Sequence, residues 1–236
     1  MDVRRAQNLS PDAICAALAG LQLGGTDPFV DGESQGGECH IFKASFKDSP
    51  SLSVRINHPV HEDQQDTINN VSMETRIFRT LEENGFPWSP RYRAASLTFD
   101  NPINYPFMVL DWAEGFPLKW DDDYPSRPIR DILLAQLTTI QLSLVTYTWL
   151  TGDFLGSTTA TEFFERRISN YLNGVRGGKL PGLTEKDCLD QLALLPKVLG
   201  NDARSTLFAI DHGDLKPTNI IVDEENNIRW QGRAYP

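Results

Sequence analysis

The spacing of apolar residues changes its period once along this chain, and that change does most to limit what the chain can fold into. Up to about residue 113 the pattern is mainly that of strands. Phe42, Ala44 and Phe46 alternate with Lys43, Ser45 and Lys47, a period of two that sends alternate residues to one face. Lys47-Asp48-Ser49-Pro50 reads as a turn and Ser51 to Ile56 as the returning strand, so residues 38–56 predict a hairpin. A Gly-rich turn is predicted ahead of it, over Asp31 to Gly37, and two more strands over Tyr92–Phe99 and Pro106–Asp111. One helix starts at Ser10 as N-cap and Pro11 and ends near Gly24-Gly25; another runs from Asp66 or Thr67 to Gly85. From Glu114 onward helices take over, at 129–150, 161–173 and 184–199, the last opened by a capping box of Thr184 and Asp187. Phe208–Asp211 reads as a strand, and Asn219–Val222 with Ile228–Trp230 as a hairpin around Asp223–Asn227. Strands first and helices after predict an α+β fold of two lobes, 1–113 and 114–236, divided around Ala113–Gly115.

Composition narrows the function. The chain has 236 residues, 40% of them hydrophobic, enough for a sizeable core. Lys and Arg number 22 against 32 Asp and Glu, a net charge of −10. A field of that sign disfavours phosphate backbones and anionic bilayers, so neither nucleic acid nor membrane is an expected partner. Ile132 to Leu150 carries no charge and approaches the length of a membrane span. Polar residues such as Gln136, Thr138 and Gln141 fall between Leu133, Leu137, Ile140 and Leu144, which marks a buried helix of a soluble protein. Cys15, Cys39 and Cys188 form no CxxC pattern, and Met1 to Arg5 is followed by no apolar run, so a reducing, cytoplasmic setting is expected.

Chemistry concentrates in His212-Gly213-Asp214-Leu215-Lys216-Pro217-Thr218-Asn219. An Asp and an Asn five residues apart, on a loop entering a strand, can face one small volume. The carboxylate can take a proton from an attacking hydroxyl while the amide oxygen helps hold a divalent metal on a triphosphate. The bland alternative is an Asp/Asn-rich turn between strands. The motif resembles the catalytic loop of protein kinases, and with Gly213 it is similar to that of the aminoglycoside phosphotransferase family. The resemblance covers about residues 30 to 230. It implies a two-lobed kinase-like fold, ATP and Mg as cofactors, and phosphorylation of a small-molecule hydroxyl of unknown identity. It also implies roles: Asp214 as base, His212 bracing the loop, Lys216 near the γ-phosphate, Asn219 as metal ligand, Arg55 on the phosphates and Glu74 orienting Arg55.

A second argument comes from the residues themselves. Val71, Glu74, Phe78 and Leu81 share one face of the predicted second helix, and a carboxylate on an apolar face is costly unless paired. Arg55, near the end of the preceding strand, is the cation best placed to pair with it; otherwise Glu74 sits at the edge of the stripe and reaches water. The resemblance further implies that Gly36-Gly37 covers nucleotide phosphates. It implies too that Met108 to Trp112, with Leu110 and Asp111, is the hinge that meets the adenine; the alternative is simply a buried strand.

Three rivals are weaker. Gly32-Glu33-Ser34-Gln35-Gly36 matches G-x-S-x-G, which would make a serine hydrolase with Ser34 as nucleophile and His212 as its base, but a strand rather than a helix follows it. His58-Pro59-Val60-His61-Glu62 reads as a solvated loop, and Gly174–Lys179 as a surface turn rather than a phosphate loop.

The sequence departs from the family pattern near its end. Arg229 falls where a second metal-binding Asp is expected, and Asp223, Glu224 and Glu225 lie in the hairpin turn, facing solvent by expectation. By the same resemblance, further helices are expected to complete the second lobe after this point, and the chain is expected to lack them. These departures imply a truncated or degenerate enzyme of impaired activity, or a pseudokinase that binds nucleotide or a partner.

Overall fold

The computed structural model describes residues 7–36, 39–58, 63–150, 158–205, 208 and 215–231. The chain divides into two compact units, one of Met1–Ile140 with His212–Ala234 and one of Gln141–Asp211 with Tyr235–Pro236.

In the first unit α1 (Pro11–Gly20) is capped by the Ser10 side chain, which accepts from Ala13 N, and it stops short of the predicted glycines. Strands β1 (Phe29–Gln35), β2 (Cys39–Ser45), β3 (Leu52–Asn57), β4 (Tyr92–Ser96) and β5 (Phe107–Asp111) form an antiparallel sheet of order β1-β2-β3-β5-β4. The expected Gly-rich turn over Asp31–Gly37 is mostly strand: β1 pairs with β2 through Gln35. Its side chains are largely solvent-exposed, so no apolar alternation betrays it. Alternation sorts the sheet's two faces. Phe42, Val54, Ile56, Phe107 and Val109 pack with Ile14 and Leu18 of α1. Met108 and Leu110 point the other way, against Phe78 of α2 (Gln64–Glu83). Helix α2 opens earlier than predicted because Asp63 caps it, its side chain accepting from Gln65 N, ahead of any apolar residue.

A second sheet, β6 (Phe116–Pro117), β7 (Ile220–Val222) and β8 (Ile228–Gln231), belongs to the same unit. The two-residue β6 has no periodicity to read. Gly115 makes its approach to β7 feasible: a Cβ there would lie 2.4 Å from the Val222 carbonyl oxygen, and φ is +133°.

Helix α3 (Arg127–Leu150) spans the division between the units. It buries Leu133, Ile140 and Leu144 while Ile132, Leu134, Leu142 and Val145 remain exposed. In the second unit α4 (Ala160–Arg176) and α5 (Glu185–Leu199) meet through Ile168, Leu172 and Cys188. Both open with complete capping boxes, Thr159 with Glu162 and the predicted Thr184 with Asp187. Phe208 is not in a strand, and 209–211, predicted as strand with it, lie outside the described residues. Among the described residues no helix is long and apolar enough to cross a membrane.

Candidate functional site

Arg55 and Asn57 leave β3 on the same face, being two residues apart on a strand. That face carries α2, where Glu74 sits between Val71 and Phe78. Arg55 Nε lies 3.4 Å from Glu74 Oε2, so the predicted ion pair is formed. Arg55 is 5% exposed. Its Nε and the Glu74 Oε2 are both buried and neither makes a hydrogen bond. The pair balances charge without aligned donors and acceptors, in a place where an unfilled donor is costly. The other carboxylate oxygen, Oε1, accepts from Asn57 Nδ2 at 3.4 Å. Cys39 lies opposite Asn57 in the β2–β3 ladder. Burial holds its thiol above the usual range, with Arg55 opposing that rise and Glu74 adding to it.

Gly36 N donates to Cys39 O at 3.0 Å across the β1–β2 turn. From the end of β3, His58 Nε2 reaches the Gly36 carbonyl oxygen at 2.9 Å. Gly37 lies outside the described residues. Ser34, the nucleophile of the hydrolase rival, is an exposed residue of β1 paired with Ile41 and not on a turn.

At the expected hinge, Leu110 is buried and Asp111 accepts two bonds from Arg93, at 2.5 Å from Nε and 3.0 Å from Nη2. Asp111 N donates to Arg91 O at 2.9 Å and Trp112 N to Ser51 O at 3.1 Å. These N–H groups are spent within the sheet. The connection beyond them borders an open depression of about 470 Å³ whose lining includes Glu114, Phe116, Asp223 and Arg229.

His212 and Asp214 lie outside the described residues. Lys216 is exposed and precedes a 3₁₀ turn, Pro217–Asn219, closed by Asn219 N donating to Lys216 O at 2.9 Å. Asn219 thereby stands at the start of β7. Asp223 does not simply face solvent as predicted: it organises the hairpin turn. Its Oδ1 accepts from Glu225 N at 3.1 Å and Asn227 N at 2.8 Å. Its Oδ2 meets Asn227 Nδ2 at 3.1 Å and Arg229 Nη2 at 2.8 Å. Partial burial works to raise its pKa, but the Asn227 bonds and the Arg229 charge outweigh it and hold the carboxyl below its ordinary value. Among the described residues no three His, Cys, Asp or Glu side chains assemble into a group that could hold a metal.

Two contributors escaped sequence reasoning. Gln136 of α3 fastens the hairpin, its Oε1 accepting from Ile228 N at 2.9 Å and its Nε2 donating to Asn226 O at 3.2 Å. An amide beside the buried stripe in the uncharged part of α3 was the available signal. Asn57 was the other, and its spacing of two from Arg55 was the clue.

Neither a family model nor a curated protein matches the sequence. Solved structures do match in fold. A candidate aminoglycoside phosphotransferase from Ralstonia eutropha superposes with a TM-score of 0.66 at 17% identity, over 94% of this chain and 64% of its own. APH(2")-IIIa, in complex with GDP and kanamycin, gives 0.53 at 16%, over 94% and 70%. The apoenzyme of macrolide 2'-phosphotransferase MphH from Brachybacterium faecium gives 0.53 at 13%, over 95% and 73%. The chain thus spans less than two thirds of the length of the first of these.

Proposed function

We propose, on the premise that this chain has the kinase-like α+β fold of the aminoglycoside and macrolide phosphotransferases, that it binds a purine nucleoside triphosphate. In this reading its inherited reaction is transfer of the terminal phosphoryl group to a small-molecule hydroxyl, weakened in this chain. One observation carries the proposal: a buried arginine whose charge is balanced by Glu74 on the side of its Nε. Phosphate oxygens suit the part of the guanidinium beyond that contact, to which its planar fork is well matched. GDP in one of the similar structures supports a purine nucleotide.

The remaining roles follow the sequence motif. Asp214 takes the hydroxyl proton, His212 braces the loop, Lys216 meets the terminal phosphate, and Gly36 and Gly37 cover the phosphates. The purine edge meets backbone just past Trp112, because the N–H groups of Asp111 and Trp112 are engaged in the sheet. Bound magnesium would neutralise phosphate charge. The residues present fit the nucleotide better than the metal: Asn219 offers one oxygen, and Arg229, where a second carboxylate is expected, is paired with Asp223. That pair favours a second reading, a nucleotide- or partner-binding module that no longer transfers phosphate.

Calorimetric titration with ATP and GTP, with and without Mg²⁺, tests the proposal. Binding is expected in both conditions, and Arg55→Ala should weaken it about tenfold to a hundredfold. No nucleotide binding by the wild-type chain, or undiminished binding by the variant, would sink the reading.

A further inference from the structure

The carboxylate of Glu74 is held from two sides, and only one of them is the expected arginine. We infer that Asn57 is a positioning residue, which acts through Glu74 to hold the Arg55 guanidinium in place for an anionic ligand. The inference rests on the phosphate-binding reading of Arg55 and extends it to a residue outside the phosphotransferase motif.

The geometry follows from the strand. Asn57 and Arg55 share a face of β3, so both reach the same glutamate on α2. Asn57 Nδ2 takes Oε1 at 3.4 Å, and Arg55 Nε faces Oε2 at 3.4 Å. A carboxylate with only one neighbour can rotate about its last torsion, which is broad and soft. A donor on the second oxygen restrains that rotation and keeps Oε2 toward the guanidinium.

The choice of an amide has a physical reason. A cation at position 57 would compete with Arg55 for the carboxylate, and an anion would repel it. Asn57 supplies a donor without charge, so the balance between Arg55 and Glu74 is undisturbed. Its own backbone is also tied down: Gln7 Nε2 donates to Asn57 O at 2.7 Å, and Asn8 N donates to Ile103 O at 2.8 Å. The segment before α1 therefore fastens the end of β3, which fixes where the Asn57 side chain starts.

A merely structural role makes a different prediction from a positioning role. Asp matches Asn in shape but sets a second carboxylate beside Glu74, so Asn57→Asp should be the worst variant if neutrality at this position matters. If the residue works as a donor to Glu74, the effect of Asn57→Ala should depend on Glu74, whereas a space-filling role gives the same loss with or without that carboxylate.

The experiment is a double-mutant cycle on the full chain between Asn57→Ala and Glu74→Gln, with the Asp variant alongside. Two readouts are taken: affinity for a fluorescent ATP analogue, and the thermal midpoint without ligand. Asn57→Ala is expected to weaken binding about threefold to tenfold alone and to have no further effect in the Glu74→Gln background. Additive effects in the cycle, or Asp milder than Ala, overturn the inference. If the wild-type chain binds no nucleotide, the phosphate reading of Arg55 fails. Coupling and rank order in the thermal midpoints then decide the Asn57–Glu74 relationship by the same criteria.

Discussion

Arg229 Nη2 closes on Asp223 Oδ2 at 2.8 Å, across the turn that joins β7 to β8. The resemblance implies a carboxylate where Arg229 stands, and Asp223, an acid in the adjoining turn, is thereby engaged. Both oxygens of Asp223 already serve the turn, through Glu225, Asn227 and Arg229. A cation at Asp223 would have to displace several of these bonds together.

Asp223 is therefore expected to be a structural residue. Asp223→Ala should lower the thermal midpoint more than Arg229→Ala, which removes one contact on an exposed side chain. Neither should change the Mg²⁺ dependence of nucleotide affinity. The folded pKa of Asp223 is depressed, so its stabilising contribution is present above the unfolded value and is lost as pH falls through the folded one. Melting curves should show the variant's deficit at neutral pH shrinking in acid; a deficit independent of pH would count against the turn-organising role.

The pair between Arg55 and Glu74 makes a different demand. Removing one partner leaves a buried charge uncompensated, a loss of about 3 kcal/mol, towards the low end because Glu74 is partly solvated. Replacing both with apolar groups, as in Arg55→Met with Glu74→Leu, should restore most of that stability and still abolish nucleotide binding. Denaturant unfolding with a binding assay checks both halves. A double variant as unstable as either single one would show that the pair contributes more than charge balance.

Much of this arrangement was legible in the residues, for a definite reason. Strand alternation around Phe42 and Val54 and the apolar stripe through Glu74 are properties of single elements. Together they predicted the β2–β3 hairpin, α2 and the Arg55–Glu74 pair. What escaped depends on neighbours remote in sequence. β1 reads as a turn because its stability comes from pairing with β2, not from burial. The two-residue β6 is defined by β7, and Gln136 acquires its role only when the hairpin 90 residues later arrives beside it. The hinge follows from the resemblance, which says nothing of the N–H groups of Asp111 and Trp112 being spent on Arg91 and Ser51.

The second unit should be acid-sensitive through its helix caps. Bonds from Thr159 and Thr184 to Glu162 and Asp187 lower both carboxyl pKa values, by the Thr159 backbone first in one case and the Thr184 hydroxyl first in the other. Depressed carboxylates stabilise above their unfolded pKa, and that stability is lost as pH falls through the folded one. Thr159→Ala and Thr184→Ala should each cost about 1 kcal/mol at neutral pH. Helix content followed against pH should fall less steeply in Thr184→Ala than in wild type, and change less in Thr159→Ala, whose backbone N–H still bonds Glu162. Equal slopes would mean that the caps do not set the acid response.

The strongest expectation concerns catalysis itself. Phosphoryl transfer depends chiefly on positioning and on charge neutralisation at the phosphates, so in the proposed reading, where Arg229 replaces a metal carboxylate, a central electrostatic contribution is expected to be lost. Arg229 does not restore it, since its guanidinium is paired with Asp223 and carries the wrong charge for a metal. Arg55 and the glycine turn do not depend on that carboxylate, which is why nucleotide affinity is expected to outlast turnover. Phosphotransfer and ATP hydrolysis by residues 1–236 should therefore lie at the background level of an Asp214→Asn control, with or without Mg²⁺, while both proteins still bind nucleotide. Mg²⁺-dependent turnover in wild type that disappears in the control would refute this. It would require a second acid at the metal, and a drop in that turnover with Glu224→Gln but not Asp223→Asn would identify it as one whose oxygens the turn leaves free.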